Sequence, residues 1–320
     1  MAAAPRYAAL GCYSNFSLLT GAAHPDEMVK TAATLGWQVV GIADINSFAG
    51  IVRAHIAARD AAIGLIVGVR VRPVDGPDIL VHPCDRPAYE SLSALLSEAN
   101  MRGQKAAPRL YLADLSRLPA STVFVVVPPV HPDAAYHAKL QQLSQLVTGR
   151  LWAGACLYRD GADEARLALL ATEAAALGLP LVALSNALYH HPQRRPLADV
   201  LCCIREKQRL DDAGYLLSRN AERHLLSPDE MARRWRHYPD ALKQAAVIAD
   251  LCRFSLDDLS YEYPDELAPG GRTAMQELTY HTWQGAKKRF PDGVDDRVKA
   301  YLQHELVLIE KLQFAPYFLT

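Results

Sequence analysis

Residues 25–44 read PDEMVKTAATLGWQVVGIAD and contain one repeat unit of an α/β fold. The Pro-Asp-Glu start suits the first turn of a helix, and Gly36 suits its end. The run that follows, Gln38–Asp44, is short, apolar and rich in β-branched residues, which is typical of a buried strand. This stretch therefore predicts a helix over Pro25–Leu35 and then a strand.

The same alternation continues to about residue 190. The apolar runs lack a clear period of two, which favours a parallel sheet covered by helices. The predicted strands are Tyr7–Tyr13, Gln38–Asp44, Leu65–Arg72, Asp78–His82, Thr122–Val127, Leu151–Leu157 and Leu181–Ser185. The predicted helices among them are Pro25–Leu35, Phe48–Ile63, Glu90–Arg102, Ala134–Val147 and Asp163–Leu177. Seven strands with helical connections predict a distorted (β/α) barrel, with an open doubly wound sheet as the alternative.

The pattern changes near residue 198, after which the sequence contains helical patterns and no strand pattern. The segment SPDE at Ser227–Glu230 is a capping box that begins one helix. Two further helices are predicted over Ala274–Arg289 and Asp295–Leu312. We therefore predict a barrel domain over residues 1–198 and an α-helical extension over residues 199–320.

The overall composition excludes several classes of protein. Lys and Arg (34) nearly balance Asp and Glu (35), so the chain lacks the positive charge typical of a duplex-binding protein. No apolar run approaches the roughly 18 residues that span a bilayer, and no secretory signal is evident. The six cysteines are scattered without a C-x-x-C pair, which predicts reduced thiols. These features predict a cytoplasmic protein with no membrane partner.

Active residues of a (β/α) barrel lie at the carboxyl ends of its strands. Here those ends present Asp44, Arg70 and His82 among the charged and titratable groups. A catalytic metal needs several converging imidazoles and carboxylates, and a cation such as Arg70 would repel it. Asp44 and His82 together suggest a weak residual metal site at most. The sequence also lacks Gly-x-Gly-x-x-Gly, a Walker loop and a Gly-x-Ser-x-Gly elbow, so we predict no catalytic residues.

Several longer stretches are similar to a known family: SNFSLLTGAAHPDEMVKTAATLGWQVVGIADINSFAGIVRAH, LIVGVRV, NAERHLLSPDEMARRW and FAPYFLT. They resemble the N-terminal polymerase-and-histidinol-phosphatase (PHP) region of bacterial C-family DNA polymerases, above all the error-prone paralogue of the polymerase III alpha subunit. The resemblance implies a PHP fold and a parent DNA-directed DNA polymerase, a nucleotidyltransferase active in damage-induced mutagenesis and translesion synthesis.

The resemblance also implies the cofactor and partners of that parent. Mg²⁺ would be the cofactor of nucleotidyl transfer, held by palm aspartates that these 320 residues lack. The expected partners are the polymerase's own palm and thumb domains, primer–template DNA, deoxynucleoside triphosphates, a sliding clamp and mutagenesis accessory proteins. By the same resemblance, the chain is expected to be an N-terminal fragment of that polymerase.

Seven positions match metal-ligand positions of the metal-binding PHP members: Gly11, Tyr13, Asp44, Ile45, Arg70, Asn186 and Leu188. Those members have His, His, Asp, His, Glu, Asp and His there. Only Asp44 keeps a metal-binding side chain. We therefore expect a scaffold domain without metal or cofactor.

Two other functions stay open at this point. One is a metal-dependent phosphoesterase or 3′–5′ exonuclease at the barrel mouth. The other is a DNA-binding module that uses the basic clusters Arg233–His237 and Lys287–Phe290.

Overall fold

The computed structural model describes residues 7–104, 107–147, 150–259 and 271–320. Its sheet has seven strands, paired in the order β1 to β7. The strands are β1 Ala8–Cys12, β2 Val39–Ile45, β3 Gly64–Val71, β4 Ile79–Pro83, β5 Thr122–Val126, β6 Leu151–Ala155 and β7 Leu181–Ala183. The seven predicted strands are thus confirmed, with ends that differ by one or two residues.

The sheet curves until its two edges meet. The Leu10 carbonyl accepts hydrogen bonds from the backbone N–H groups of Ser185 (3.1 Å) and Asn186 (3.2 Å). The Tyr13 N–H donates to the Ala187 carbonyl at 2.9 Å. Because these bonds join β1 to the segment after β7, the sheet is nearly closed into a barrel, and the predicted fold class is confirmed.

One strand runs against the prediction of a parallel sheet. β4 pairs antiparallel with both β3 and β5, whereas the other neighbours pair in parallel. Only seven residues, 72–78, separate β3 from β4, too few for a helical crossover, so the chain turns back on itself. The carboxyl end of β4 therefore lies where the parallel strands begin, away from the barrel mouth.

The helices follow the predicted alternation. They are α1 Pro25–Thr34, α2 Ile51–Asp60, α3 Arg86–Arg102, α4 Ala134–Leu146, α5 Asp163–Ala176, α6 Arg195–Glu206, α7 Pro228–Arg234, α8 Pro239–Leu251, α9 Ala274–Arg289, α10 Asp296–Lys311 and α11 Ala315–Leu319. Side-chain caps explain some ends. Asp85 accepts the Ala88 N–H at 2.9 Å, so α3 begins at Arg86 and not at the predicted Glu90.

Apolar side chains fill both faces of the sheet. The outer face packs against the helices through residues such as Val40, Val69 and Val126. The interior of the barrel is filled by a second cluster, which includes Leu10 and Leu80. Every strand therefore buries both faces, which accounts for the continuous apolar runs in the sequence.

Helix α8 closes the end of the barrel at which the parallel strands begin. It packs against β7 and β1, and its Ala245 and Ile248 join the interior cluster. The Trp152 indole N–H, near the start of β6, donates to Gln244 Oε1 at 2.8 Å. The first compact unit extends to Leu259, and α8 belongs to it because α8 supplies part of the barrel core.

The second compact unit covers Ser260–Thr320. Its described helices α9, α10 and α11 share a small core of Leu278, Leu306 and Ala315. The predicted helices over Ala274–Arg289 and Asp295–Leu312 match α9 and α10. Among the helices of the described ranges, none is long and apolar enough to cross a membrane.

Because α8 closes the barrel, shortening one of its buried side chains is predicted to lower the stability of the fold strongly. Ile248 is 0% exposed, whereas its neighbour Val247 is 42% exposed. Ile248→Ala is expected to lower the free energy of unfolding by about 2–5 kcal/mol, because it leaves a cavity in the barrel core. Val247→Ala is the matched control and should change it by less than about 1 kcal/mol. Urea denaturation measures both, and equal losses would contradict this role of α8.

Candidate site at the barrel mouth

The mouth of the barrel, where the parallel strands end, is organised around the side chain of Arg70. Arg70 lies near the end of β3 and points into the barrel, because Val69 and Val71 beside it belong to the outer face. Its Nη2 donates to Asn186 Oδ1 at 2.8 Å and to the Gly11 carbonyl at 3.2 Å. The structure thus brings Gly11, Arg70 and Asn186 together, three of the seven positions that match metal ligands in metal-binding PHP members.

Two further groups stabilise the buried charge of Arg70. The guanidinium carbon lies 4.2 Å from the centroid of the Tyr13 ring, in a cation–π contact. Its Nη1 lies 3.8 Å from Asp78 Oδ2. Because Arg70 is 1% exposed, it depends on these partners in place of water.

Gly11 gives the guanidinium room. Its φ is +73°, a conformation that side-chain-bearing residues rarely adopt. A Cβ there would lie 3.0 Å from Leu80 Cδ1 and 3.4 Å from Arg70 Nη2. A side chain at this position would therefore crowd Leu80 and come into contact with the Arg70 guanidinium.

Asn186 links the mouth to a residue outside the barrel strands. Its Nδ2 donates to Cys156 Sγ at 3.3 Å. Its carbonyl accepts two hydrogen bonds from Arg223, from Nε at 3.0 Å and Nη2 at 2.9 Å. Arg223 was not predicted as a site residue, since nothing in its local sequence indicates that the loop before α7 returns to the mouth.

A cavity of about 550 Å³ opens beside Arg70. Its walls include the rings of Tyr13, Tyr136 and Tyr158 and the side chain of Arg223. Within the described residues, Arg70 Nε and the Tyr136 hydroxyl are buried without a hydrogen-bond partner. The cavity therefore offers donors and aromatic surface.

The thiols near the mouth are poor nucleophiles. Burial raises the pKa of Cys12 to about 12 and also raises the pKa of Cys156. Nucleophilic catalysis by these two cysteines is therefore disfavoured.

Asp44, the one retained ligand type, faces away from the cavity. Ala43 before it belongs to the barrel interior, so Asp44 lies on the outer face of β2. Its carboxylate accepts hydrogen bonds from the Ser14 N–H (2.8 Å), the Ser14 hydroxyl (2.6 Å) and the Ser17 hydroxyl (2.6 Å). Asp44 therefore holds the loop between β1 and α1.

His82 lies inside the barrel, on the opposite face of the sheet from Asp44. It pairs with Val123 near the start of β5, and its Nδ1 lies 3.1 Å from the Val67 carbonyl. Burial disfavours the imidazolium and lowers the pKa of His82 to about 4. The structure therefore does not bring Asp44 and His82 together as a residual metal site.

Ile45 and Leu188 contribute backbone contacts. The Ile45 N–H donates to the Ser17 hydroxyl at 3.1 Å, and the Leu188 N–H donates to the Arg223 carbonyl at 2.8 Å.

Among the ranges that the structure describes, no group of three or more His, Cys, Asp or Glu residues could hold a metal ion.

The predicted basic cluster at Arg233–His237 is largely structural. Arg233 Nη2 lies 2.7 Å from Glu230 Oε1, Arg234 pairs with Glu222 at 2.7 Å, and Trp235 is buried. In the other cluster, Lys287, Lys288 and Arg289 occupy the last turn of α9, where cations stabilise a helix.

Comparison with known proteins agrees with this architecture. Residues 10–151 match the PHP domain family. They extend from Leu10 in β1 to Leu151, the first residue of β6, and include Gly11, Tyr13 and Arg70, whereas Asn186 and Arg223 lie beyond them. This chain carries a PHP domain.

Over nearly its whole length the chain is also similar to error-prone DNA polymerases. It is 42% identical over 99% of its length to the enzyme of Rhodopseudomonas palustris (strain BisB5) and 41% identical over 99% to that of Caulobacter vibrioides. It spans only 29% of the length of each of these relatives.

A solved amidohydrolase from Chromobacterium violaceum, with bound sulfate and no metal, is 16% identical. Its TM-score is 0.44, and the match covers 56% of this chain and 86% of that one. A likeness this distant says nothing about function.

The PHP metal centre does not fit the residues of this chain. At the seven matched positions, the groups that reach the barrel interior include a guanidinium, an amide and a phenol. Arg70 places a positive charge where a cation would bind, and Asp44 is engaged on the far side of the sheet. No chemical step through a metal follows from this site.

The role of Asp44 predicts a loss of stability on its removal. Asp44→Ala leaves three donors of the β1–α1 loop without their acceptor and is expected to cost about 3 kcal/mol of unfolding free energy. Asp44→Asn keeps one acceptor oxygen and should cost less. Asp60→Ala, at the exposed end of α2, is the control, with an expected change within about 0.5 kcal/mol. A urea series in which Asp44→Ala matches Asp60→Ala would refute this assignment.

The lowered pKa of His82 predicts a loss of stability in acid. Below pH 6.5 the unfolded chain binds a proton that the folded barrel excludes until about pH 4. The stabilisation is therefore complete above pH 6.5 and is lost as the pH falls towards 4, by about 2 kcal/mol between pH 7 and 5.

Protonation of carboxylates also lowers stability in acid, and a comparison of variants separates that effect from the effect of His82. His82→Leu should show an acid-induced loss that is smaller by about 2 kcal/mol than that of the unmodified chain. His131→Leu, on an exposed loop, should not. Denaturant titrations at pH 7 and pH 5 measure the difference, and parallel profiles for all three proteins would disprove the buried neutral state.

Proposed function

We propose that this chain belongs to an error-prone DNA polymerase, in which its PHP barrel is a structural domain without a metal centre. The observation that supports a domain without a metal centre is the Arg70 guanidinium, which donates hydrogen bonds to the Gly11 carbonyl and to Asn186 Oδ1 at the mouth. The cation and its neutral acceptors join β1, β3 and the segment after β7. The charged group that would repel a metal ion thus links the two ends of the sheet.

The similarity to curated polymerases supports the parent activity, DNA-directed nucleotidyl transfer with Mg²⁺ on primer–template DNA and deoxynucleoside triphosphates. These 320 residues contain no Asp-x-Asp pair to clamp two metal ions. The proposal therefore assigns the chemistry to palm residues of the relatives outside the matched 29% of their length. The barrel and its helices would pack against that palm and thumb.

The proposal extends to the biological setting of such an enzyme. It includes synthesis across damaged template in damage-induced mutagenesis, in the cytoplasm. It also includes a sliding clamp and mutagenesis accessory proteins as partners. These elements rest on the similarity alone.

Substitution of Arg70 tests the structural role within the complete polypeptide that contains this chain. Arg70→Met removes the donor from two buried acceptors and should cost about 2 kcal/mol, which corresponds to a fall in Tm of about 5 °C. Primer extension at low temperature, with Mg²⁺, should keep its kcat. Arg72→Met is the matched control, because its ion pair with Asp78 is half exposed and worth little.

Metal analysis tests the absence of a hydrolytic centre. The purified chain should contain substoichiometric Zn, Mn and Fe, and a chelator should not shift its Tm. Stoichiometric metal together with chelator-sensitive hydrolysis of a phosphodiester would instead establish the phosphoesterase or exonuclease. Absence of primer extension by the complete polypeptide would refute the polymerase assignment separately.

A further inference from the structure

Two cysteines far apart in the sequence meet at the closed end of the barrel. Cys84 follows the last residue of β4, and Cys252 is the C-cap residue of α8. Their Sγ atoms lie 3.9 Å apart, which is van der Waals contact. We propose that Cys84 and Cys252 are a redox-modification site, which a peroxide converts into a disulfide that links α8 to the barrel.

The backbone on both sides favours the approach of the two sulfurs. The Cys84 N–H donates to the Ser121 carbonyl at 3.0 Å, which holds it at the sheet. Cys252 lies just after the last residue of α8, where its φ and ψ are no longer helical. A disulfide needs the sulfurs to move about 2 Å closer, and rotation about the side-chain bonds of a residue at a helix end can supply much of that.

Both sulfurs are within reach of a small oxidant. Cys84 is partly exposed. Cys252 is 7% exposed and lines a cavity of about 290 Å³, together with Arg59 and Asp257. A molecule the size of hydrogen peroxide can enter such a cavity.

The surroundings make Cys84 the reactive member of the pair. A hydrogen bond from the Cys252 thiol, with the nearby Arg150 cation, lowers the pKa of Cys84 to about 7. The same bond and burial raise the pKa of Cys252. Cys84 is thus the attacking thiolate, and Cys252 is the resolving thiol.

The reaction balances in two steps. The Cys84 thiolate attacks one peroxide oxygen, the O–O bond breaks, and a sulfenic acid and hydroxide form. The Cys252 sulfur then attacks the Cys84 sulfur, an S–S bond forms, and the sulfenic oxygen leaves as water with the Cys252 proton. In total, two thiols and one peroxide give one disulfide and two waters, and a dithiol reductant reverses the change.

The linkage would close a loop of 168 residues and fasten α8 in place. Because α8 supplies Ala245 and Ile248 to the barrel core, the link would oppose its detachment. A cross-link across so long a loop restricts the unfolded chain strongly. The oxidised protein should therefore have a Tm that is higher by about 5 °C or more.

Peptide mass spectrometry of the unmodified chain is the direct test and needs no variant. The protein is treated with a small excess of hydrogen peroxide, alkylated with iodoacetamide, and digested without reductant. The Cys84 and Cys252 peptides are expected as one linked species that has lost two hydrogen atoms, together with the higher Tm, both reversed by dithiothreitol. Full alkylation of both residues after peroxide, in protein that is still folded, would overturn the proposal.

Variants assign the roles of the two thiols. Cys252→Ser should leave a Cys84 sulfenic acid that dimedone traps, and Cys84→Ser should give neither product at Cys252. Cys203→Ser, on α6, is the matched control and should still form the link. Dimedone trapping at Cys252 and not at Cys84 would overturn the assigned order of attack.

Discussion

A buried positive charge at the barrel mouth governs the local structure of this PHP domain. The Arg70 guanidinium is almost fully removed from water, and a cation in that position requires acceptors from several directions. The Gly11 carbonyl, the Asn186 amide oxygen and the Tyr13 ring provide them. These groups come from both edges of the sheet, so the same charge that excludes a metal ion also joins the strands where the barrel closes.

Asp44 illustrates how a retained residue can mislead. Its side chain suits a metal, yet it lies on the outer face of β2 and binds two serine hydroxyls of the β1–α1 loop. The carboxylate therefore works as a backbone and hydroxyl acceptor that shapes the loop. The hydrogen bonds of Asp44 to the β1–α1 loop thus give this carboxylate a structural role that involves no metal ion.

Much of the fold could be predicted from sequence because each strand is buried on both faces and several helices have clear end signals. The seven strands and the helices between them follow those signals closely. The apolar run Asp78–His82 looks the same in either orientation, and the sign of an antiparallel β4 lies instead in the short connection after Leu65–Arg72, which leaves no room for a helical crossover. The contribution of α8 to the barrel core also could not be predicted, because it depends on packing between segments distant in the sequence.

The site was predictable only in part. The presence of a cation at residue 70 and the lack of imidazoles followed directly from the residues. The partners of Arg70 and the return of Arg223 to the mouth arise from contacts between distant segments, and local sequence carries no sign of them.

The glycine at residue 11 has a consequence for the evolution of this barrel. Any larger residue there would crowd the Leu80 side chain and would also adopt an unfavourable backbone angle. A larger residue at that point would thus need a small shift of the Leu80 side chain and a change in the local backbone. An imidazole could therefore not be added at residue 11 alone without strain in the backbone and crowding of Leu80.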